Sequence, residues 1–406
     1  MSYLSIIAAF LAFLSLAIGL WQWLAAVNFP LHRRINPSAN PPAITLLKPL
    51  KGCDDTTRAS LQSWLKQAYA GDAQVLFGVA DINDPVCGVV RDLLRQFPRA
   101  DARLVVCAQT VGMNAKVSTL IQLERLAKHG LILVSDADVR VPPDFLDQIV
   151  THMEDPAVGL VNCFYRMANP LNAAMHWENI AVNADFWSQV LQSNTLKAPD
   201  FALGAVMLTR RSALADIGGF TALADCLADD YQLGRRLAEK GHRIALGSVV
   251  VECWDKPMNW QDVWKHQLRW ARTIRVCQPL PYFMSILANA TLWPLLWLVI
   301  AWHFNDYTPA VAIAAVGCIL GRILMAWHLQ RRFTPDRKLV APHWLVPVKD
   351  LLHFAVWFNA FLGNTVEWRG QQMRLRSDGT LIASEEILAK AGMVGNEGFE
   401  PPTVSV

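Results

Sequence analysis

The hydrophobic pattern divides the chain into an apolar start, a middle of alternating short patterns, and a second apolar region after about residue 280. Residues 3–27 contain no charged side chain. A helix of that length, at about 1.5 Å per residue, crosses a hydrocarbon core of about 30 Å. A cleaved signal peptide would have a basic beginning and a shorter apolar run. The pattern therefore favours a retained transmembrane anchor within residues 1–30.

In the middle of the chain, short apolar runs that predict strands alternate with segments whose apolar residues recur at helical spacing. This alternation indicates βαβ units and a mostly parallel sheet. We therefore predict an α/β domain over residues 43–280, preceded by a Pro-rich linker within 31–42. The predicted strands are 44–50, 75–80, 103–107 and 131–135, and the predicted helices are 89–97, 114–128 and a segment through Leu61, Trp64 and Leu65.

The second apolar region predicts two to three C-terminal membrane helices within residues 281–365. Two spans are predicted at 282–303 and 308–328. The apolar stretch 343–363 also contains Lys349, Asp350 and His353. Because charges are costly in mid-bilayer, this stretch is a third span, a re-entrant segment or an interfacial helix, and the basic run after it favours the last. Residues 366–406 are predicted to be a cytoplasmic or flexible tail without an assigned role.

Composition and charge agree with a membrane protein and give its orientation. The chain is 53% hydrophobic and 17% charged, with 16 Trp, whereas soluble domains average about 25% charged residues. The net charge of +3 gives no indication of nucleic-acid binding. Basic residues follow the first apolar segment at 32–34 and recur at 328–338. By the positive-inside rule, the α/β domain is expected to face the cytoplasm.

Two acidic residues follow the end of the predicted strand 131–135. These are Asp136 and Asp138, in the sequence SDADVRVP. In parallel sheets, ligands bind beyond the carboxyl ends of the strands. A hard divalent cation held there by carboxylates and phosphate oxygens would neutralise a nucleoside diphosphate. We therefore predict a metal and diphosphate site, with a simple pair of loop carboxylates as the alternative.

Three other positions have both a functional and a structural interpretation. Asp81 ends the predicted strand 75–80 and could accept a hydrogen bond from a nucleobase, or could cap a turn. Lys116 opens a helix and could contact phosphate, or could be solvated. Gly204 could allow close approach of the acceptor, or could serve ordinary packing.

Two further segments could supply catalytic groups. Asp229 and Asp230 open a helical pattern, where they suit the helix dipole. One of them could instead be a general base that deprotonates an acceptor hydroxyl. The basic amphipathic segment 266–275 suits an interfacial helix with snorkelling arginines. In the functional interpretation, its Arg269 and Trp270 close the diphosphate and acceptor site.

These motifs occur in the order found in ceramide glucosyltransferase-like enzymes, a family of inverting glycosyltransferases with the GT-A fold. The order is Asp81, DAD at 136–138, ADD at 228–230 and LRW at 268–270. The resemblance covers about residues 40–280 and is greatest to the glycosyltransferases associated with bacterial hopanoid biosynthesis. It implies a GT-A α/β catalytic domain with membrane helices on both sides, in the bacterial inner membrane.

The resemblance also implies roles for individual residues. It implies Asp230 as the catalytic base, and Asp138 with Asp136 as ligands of Mg²⁺ or Mn²⁺. His266 occupies a position where the family has Gln or Arg, so its role is open. The implied donor-binding residues are Asp81, Lys116, Asp136, Arg269 and Trp270, and those on the acceptor side are Gly204, Asp229 and His266.

The implied reaction transfers N-acetylglucosamine from UDP-N-acetylglucosamine to bacteriohopanetetrol. The alternative within the family is transfer of glucose from UDP-glucose to ceramide, in sphingolipid metabolism. Two alternatives of another class are a transporter and a non-catalytic membrane protein that binds nucleotide sugars. A processive polysaccharide synthase would need more membrane helices than the sequence predicts.

Overall fold

The computed structural model describes residues 1–334, 336–368 and 371–383. Its central feature is an eight-stranded mixed sheet in the order β3-β2-β1-β4-β7-β6-β8-β5. The strands are β1 (Ile44–Leu50), β2 (Ala73–Val79), β3 (Asp101–Val106), β4 (Leu131–Ser135), β5 (Val139–Arg140), β6 (Val158–Met167), β7 (Val206–Arg210) and β8 (Arg243–Cys253).

Helices cover the sheet and extend from it into an apolar bundle. A π-helical segment, Ala181–Phe186, joins two of them. The α-helices are α1 (Tyr3–Asn28), α2 (Thr57–Leu65), α3 (Val86–Gln96), α4 (Ala115–Glu124), α5 (Phe145–Val150), α6 (Ala173–Ile180), α7 (Trp187–Leu196), α8 (Arg211–Asp216), α9 (Asp229–Glu239), α10 (Trp260–Cys277), α11 (Pro279–Met284), α12 (Leu292–His303), α13 (Pro309–Phe333) and α14 (Leu345–Ala360).

The first half of the sheet matches the prediction, and the second half is mixed. Strands β3, β2, β1 and β4 are parallel neighbours. β7 runs antiparallel to both β4 and β6, and β5 runs antiparallel to β8. β1 is buried along its whole length because helices pack on both faces of the sheet, which explains its nearly continuous apolar sequence.

The apolar helices provide two clear candidates for membrane spans. Among the described residues, α1 and α13 are long and apolar enough to cross a membrane, and a third crossing requires the bent pair Pro279–Ala288 and Leu292–His303. The sequence predicted one continuous span at 282–303, but this pair bends by 58°. The Asn289 side chain accepts hydrogen bonds from the backbone N–H groups of Thr291 and Leu292. Asn289 thereby caps the start of α12, which interrupts the continuous helix that the sequence predicted.

The two spans run in the same direction, with their N-terminal ends together. The backbone N–H of Ser2 donates to Asp306, just before α13, at 2.7 Å. At the opposite end, Arg332 donates to the carbonyls of Val27 and Phe29 at 2.9 and 2.8 Å. Just beyond α1, the backbone N–H of His32 donates to the carbonyl of Ser248 on β8 at 2.8 Å, so the C-terminal ends of both helices lie beside the α/β domain.

Helix α14 favours the interfacial interpretation of the stretch 343–363. It has 16 residues and is therefore about 24 Å long, shorter than a hydrocarbon core. Its Lys349 and Asp350 are buried, and they belong to a buried quartet of charges with Arg322 of α13 and Asp185 of the π-helical segment. Arg322 donates to Asp350 at 2.8 and 3.0 Å and to Asp185 at 2.9 Å, and Lys349 also contacts Asp185.

The predicted tail begins with ordered structure that the sequence analysis did not predict. Three antiparallel strands form there: β9 (Thr365–Trp368), β10 (Gln371–Leu375) and β11 (Leu381–Ala383). The N–H of Leu381 donates to the carbonyl of Asp225 at 2.7 Å, so this small sheet packs beside the start of α9. Strands of three to five residues carry too little periodicity to be recognised from sequence. Residues 384–406 lie outside the described part of the chain.

Candidate active site

The end of β4 presents the first pair of predicted site residues. Asp136 and Asp138 follow Ser135 directly, at the carboxyl edge of the four parallel strands. The Lys48 ammonium, fully buried on β1, contacts the carbonyl oxygen of Asp136 and lies 3.3 Å from Ser135 Oγ. Burial raises the pKa of Asp138, with a further contribution from Asp136. Two carboxyl groups therefore lie close together at this edge, beside the buried ammonium of Lys48.

Lys116 connects this edge to the start of α9. The Asn114 side chain caps α4 by accepting hydrogen bonds from the N–H groups of Lys116 and Val117, which fixes Lys116 in the first turn. Its ammonium lies 2.9 Å from Asp136 Oδ1 and 3.1 Å from Asp229 Oδ2. Both Lys116 and Asp229 are buried. The solvated alternative for Lys116 is therefore wrong, and Asp229 is an ion-pair partner of this lysine.

Asp230 lies next to Asp229 and is half-buried. Its Oδ1 accepts the N–H of Tyr231 at 2.8 Å. A Cβ atom added to Gly204 would lie 2.6 Å from Asp230 Oδ2, so the glycine gives this carboxylate its space. Burial, followed by the charge of Asp229, raises the pKa of Asp230 to about 6. A carboxylate with that pKa can accept a proton near neutral pH.

Helix α10 brings Arg269 and Trp270 to the same region. A capping box at Asn259 and Asp262 starts this helix. Burial lowers the pKa of Arg269, while the charges of Glu178, Asp230 and Asp136 oppose that change. Arg269 is therefore within electrostatic reach of both acidic motifs. Trp270 packs against the core beneath the sheet edge.

His266 contacts a buried carboxylate that the sequence analysis missed. Its Nδ1 lies 2.6 Å from Glu178 Oε1, and its ring lies 4.6 Å from the Trp270 ring, centroid to centroid. Lys48 and Glu178 are two residues of this region without a sequence signal of their own. Lys48 lies inside a strand-like run, and Glu178 lies inside a helix-like one.

The structure places Asp81 apart from the other predicted site residues. It is exposed, and its Oδ1 accepts the N–H of Asn83 at 2.9 Å, which is the turn-capping interpretation. Strand β1 separates its strand from β4. Asp84 instead ties two loops together, since both of its carboxylate oxygens accept the N–H of Gly52, at 3.0 and 2.9 Å.

The pair Asp136 and Asp138 suits a divalent cation that binds together with a diphosphate. Within the described ranges, no three His, Cys, Asp or Glu side chains form a group that could hold a metal ion. Mg²⁺ commonly uses one or two carboxylates, with substrate phosphates and water completing its coordination. Asp136 and Asp138 supply two such hard carboxylates, and Lys116 occupies only one oxygen of Asp136. The donor set therefore suits a cation bound together with a diphosphate.

Comparisons with known proteins agree with this architecture. The sequence profile of Glycosyl transferase family 21 matches residues 5–381. Ceramide glucosyltransferase 3 from Caenorhabditis elegans is 23% identical over 380 residues, which are 87% of this chain and 77% of that protein. An N-acetylglucosaminyltransferase from Bradyrhizobium diazoefficiens is 25% identical over 263 residues, which are 61% of this chain and 52% of that protein.

A solved structure with a similar fold is the mannosyltransferase PcManGT from Pyrobaculum calidifontis, in complex with GDP-Man and Mn²⁺. The TM-score is 0.53 at 21% identity, and the match covers 86% of this chain and 99% of that one. This likeness confirms the predicted GT-A fold.

Proposed function

Because the chain belongs to Glycosyl transferase family 21, the ceramide glucosyltransferase family, we propose that it moves a sugar from a UDP-sugar onto a lipid hydroxyl with inversion. The chain is a glycosyltransferase with a GT-A fold. The observation that best supports the proposed reaction is the joining of the two acidic motifs. Lys116 bonds both Asp136 and Asp229, so the proposed donor site and the proposed base Asp230, the next residue after Asp229, are close together.

The proposed reaction is a single displacement at the anomeric carbon. Asp230 accepts the proton of the lipid hydroxyl while that oxygen forms the new glycosidic bond. The bond from the anomeric carbon to the diphosphate breaks, and UDP leaves with the electron pair. Gly204 leaves space for the base, and Asp229 holds Lys116 in place.

The donor contacts follow from the charges around the leaving group. Lys116 and Arg269 provide positive charge beside the diphosphate, and Trp270 closes the site. Asp136 and Asp138 would hold Mg²⁺ or Mn²⁺, which supplies Lewis-acid neutralisation of the diphosphate when bound. PcManGT was solved with Mn²⁺ and a nucleotide sugar, which supports this part of the proposal. Asp81 would contact the uridine from its exposed turn.

A lipid acceptor is supported by the helices beside the site. α10, which carries Arg269, packs against α14. α14 in turn exposes Leu351, Phe354 and Phe358. An acceptor that lies in the bilayer could therefore approach Arg269 without crossing water. We place the enzyme in the bacterial inner membrane as a multi-pass protein with its catalytic domain in the cytoplasm.

Two substrate pairs remain within this proposal. The relative named as an N-acetylglucosaminyltransferase supports UDP-N-acetylglucosamine, with bacteriohopanetetrol as the acceptor. The relative named as a ceramide glucosyltransferase supports UDP-glucose with ceramide as the second candidate.

The test offers purified protein each donor with bacteriohopanetetrol, ceramide or diacylglycerol, and identifies products by mass spectrometry. We expect N-acetylglucosaminyl-hopanoid with inverted anomeric configuration, and no product from the Asp230→Asn variant. Binding of the UDP-sugar without turnover on any lipid would favour a non-catalytic nucleotide-sugar-binding protein. Transport of intact UDP-sugar across the membrane of vesicles that contain the protein would favour a transporter.

A further inference from the structure

Glu178 is a buried carboxylate that is only half satisfied. It lies on α6 with 1% of its surface exposed. Its Oε1 accepts hydrogen bonds from His266 Nδ1 at 2.6 Å and from Gln267 Nε2 at 3.0 Å. Its Oε2 is buried and has no hydrogen-bond partner within residues 1–334, 336–368 and 371–383. Leaving a buried charged acceptor unpaired is costly, so this oxygen is suited to a ligand that donates a hydrogen bond.

The helix that carries Glu178 packs against both α10 and α14. The neighbouring Trp177 stacks on Trp260 of α10 at 5.9 Å, centroid to centroid, and its Nε1 lies 3.4 Å from His353 of α14. α6 therefore fills the corner between these two helices. Val356 and Ala360 of α14 pack in the same apolar cluster as Trp177.

Arg269 follows His266, the hydrogen-bond partner of Glu178, by about one turn of α10. The negative charges of Glu178 and Asp230 both oppose the lowering of the Arg269 pKa by burial. Tyr165 is also within the electrostatic reach of both carboxylates. Glu178 therefore lies in the same charged region as the proposed base, and its described hydrogen bonds go to His266 and Gln267 rather than to Lys116, Asp136 or Asp138.

We propose that Glu178 is an acceptor-binding residue whose Oε2 receives a hydrogen bond from a second lipid hydroxyl, one that is not glycosylated. The enzyme would thereby select lipids whose polar end carries several hydroxyl groups. His266 and Gln267 hold the carboxylate in one orientation, so that Oε2 stays available. This inference rests on the proposed transfer to a lipid and adds the chemistry by which that lipid is selected.

The expected selectivity follows from the charge of the acceptor atom. A hydrogen bond to a buried ionised group contributes more than one between neutral groups. A site that is built to pair a substrate hydroxyl also rejects the analogue that lacks it. We expect kcat/KM to be about 10- to 100-fold higher for a polyhydroxylated lipid than for the matching lipid with one hydroxyl.

The test measures both lipids with wild-type protein and Glu178→Gln, which keeps the shape and still accepts from His266 and Gln267. The acceptors are a hopanoid with a four-hydroxyl side chain and the same hopanoid with one hydroxyl. We expect Glu178→Gln to lose about tenfold or more in kcat/KM for the first lipid and to match wild type for the second. The UDP-sugar Kd should be unchanged. Glu154→Gln makes the same change at an exposed position and should behave as wild type.

A second pair of variants tests the orienting role of His266. His266→Gln keeps a donor toward Glu178 Oε1 and should retain the preference for the polyhydroxylated lipid, whereas His266→Leu should lose it. Equal loss on both lipids, no loss on either, or a weaker UDP-sugar Kd in Glu178→Gln would overturn the inference. If wild-type protein transfers to no lipid, the proposed function itself is wrong and this inference falls with it.

Discussion

Lys116 and Asp229 form a buried ion pair with 3.1 Å between Nζ and Oδ2. The pair joins the first turn of α4 to the first turn of α9, two elements far apart in sequence. Because the same ammonium also bonds Asp136, one lysine holds the two acidic motifs together.

The first prediction concerns this lysine and stability. Lys116→Met would leave Asp229 buried without its partner, and breaking a buried pair costs about 3 kcal/mol or more. We expect a clearly lower midpoint of thermal unfolding in detergent. Lys128→Met removes the exposed pair with Asp101, which should contribute at most about 1 kcal/mol. Equal shifts for the two variants would contradict the structural role of Lys116.

The second prediction concerns the space beside the proposed base. In Gly204→Ala the new methyl carbon would lie 2.6 Å from Asp230 Oδ2, so the carboxylate must move. A misplacement of about 1 Å can cost about 10²-fold in rate, and we expect kcat to fall on that scale with little change in donor Kd. Gly88→Ala, on α3 with open space around it, is the matched control. Wild-type kcat in Gly204→Ala would show that Asp230 does not need its present position.

The third prediction assigns the general base. Asp230→Asn keeps the shape of the side chain but cannot accept a proton, so kcat should fall by about 10²–10⁴-fold. The UDP-sugar Kd, measured by calorimetry, should stay near that of wild type because the base acts on the acceptor. The assignment fails if the variant turns over normally, or if its only defect is loss of donor binding.

The pH profile provides a separate check on the same residue. Burial and Asp229 raise the pKa of Asp230 to about 6, and only the ionised form can accept the proton. Wild-type kcat should therefore be level above about pH 6 and fall about tenfold per pH unit below it. The residual activity of Asp230→Asn should not show this fall in kcat below pH 6. If the fall persists in the variant, it reports the titration of another group.

The fourth prediction concerns the divalent cation. Asp138 and Asp136 supply two carboxylates, so excess EDTA should abolish transfer, and Mn²⁺ or Mg²⁺ should restore it. Asp138→Asn should weaken UDP-sugar binding when the cation is present and have little effect when it is absent. Full turnover of purified enzyme in excess EDTA would rule out the metal requirement.

The fifth prediction concerns topology. Asp72 is exposed on the α/β domain, and Tyr307 is exposed in the loop between α12 and α13. In a Cys53→Ser background, which removes an exposed natural thiol, Asp72→Cys should react with an impermeant reagent only after lysis. Tyr307→Cys should react in intact cells. The reverse pattern would invert the proposed orientation.

The sequence was sufficient to predict the buried strands and the order of the chemical motifs. The observed bounds of β1 to β4 lie within two residues of the predicted ones. β1, β2 and β4 are almost wholly buried, and strands covered on both faces have nearly continuous apolar sequences. The position of Asp136 and Asp138 at a strand end followed from the same pattern. These features depend on local sequence alone.

The features that were missed depend on contacts between distant residues. Lys48 interrupts an apolar strand, and its contact with Asp136 spans 88 residues of sequence. Glu178 lies 88 residues from His266, and nothing near either residue indicates the other. The bend before α12 likewise depends on Asn289, which also bonds the carbonyl of Asp350 on another helix.

The buried quartet around Arg322 has a consequence for how the protein is made. Arg322 lies near the middle of α13, where a charged residue costs about 2.5–3.5 kcal/mol on insertion. Its partner Asp350 is synthesised 28 residues later, a delay of a few seconds at about 5–20 residues per second. Asp185 was synthesised 137 residues earlier and is the partner already available. We therefore expect Arg322 to pair first with Asp185, which precedes it in the chain, and the quartet to be completed only when Asp350 follows.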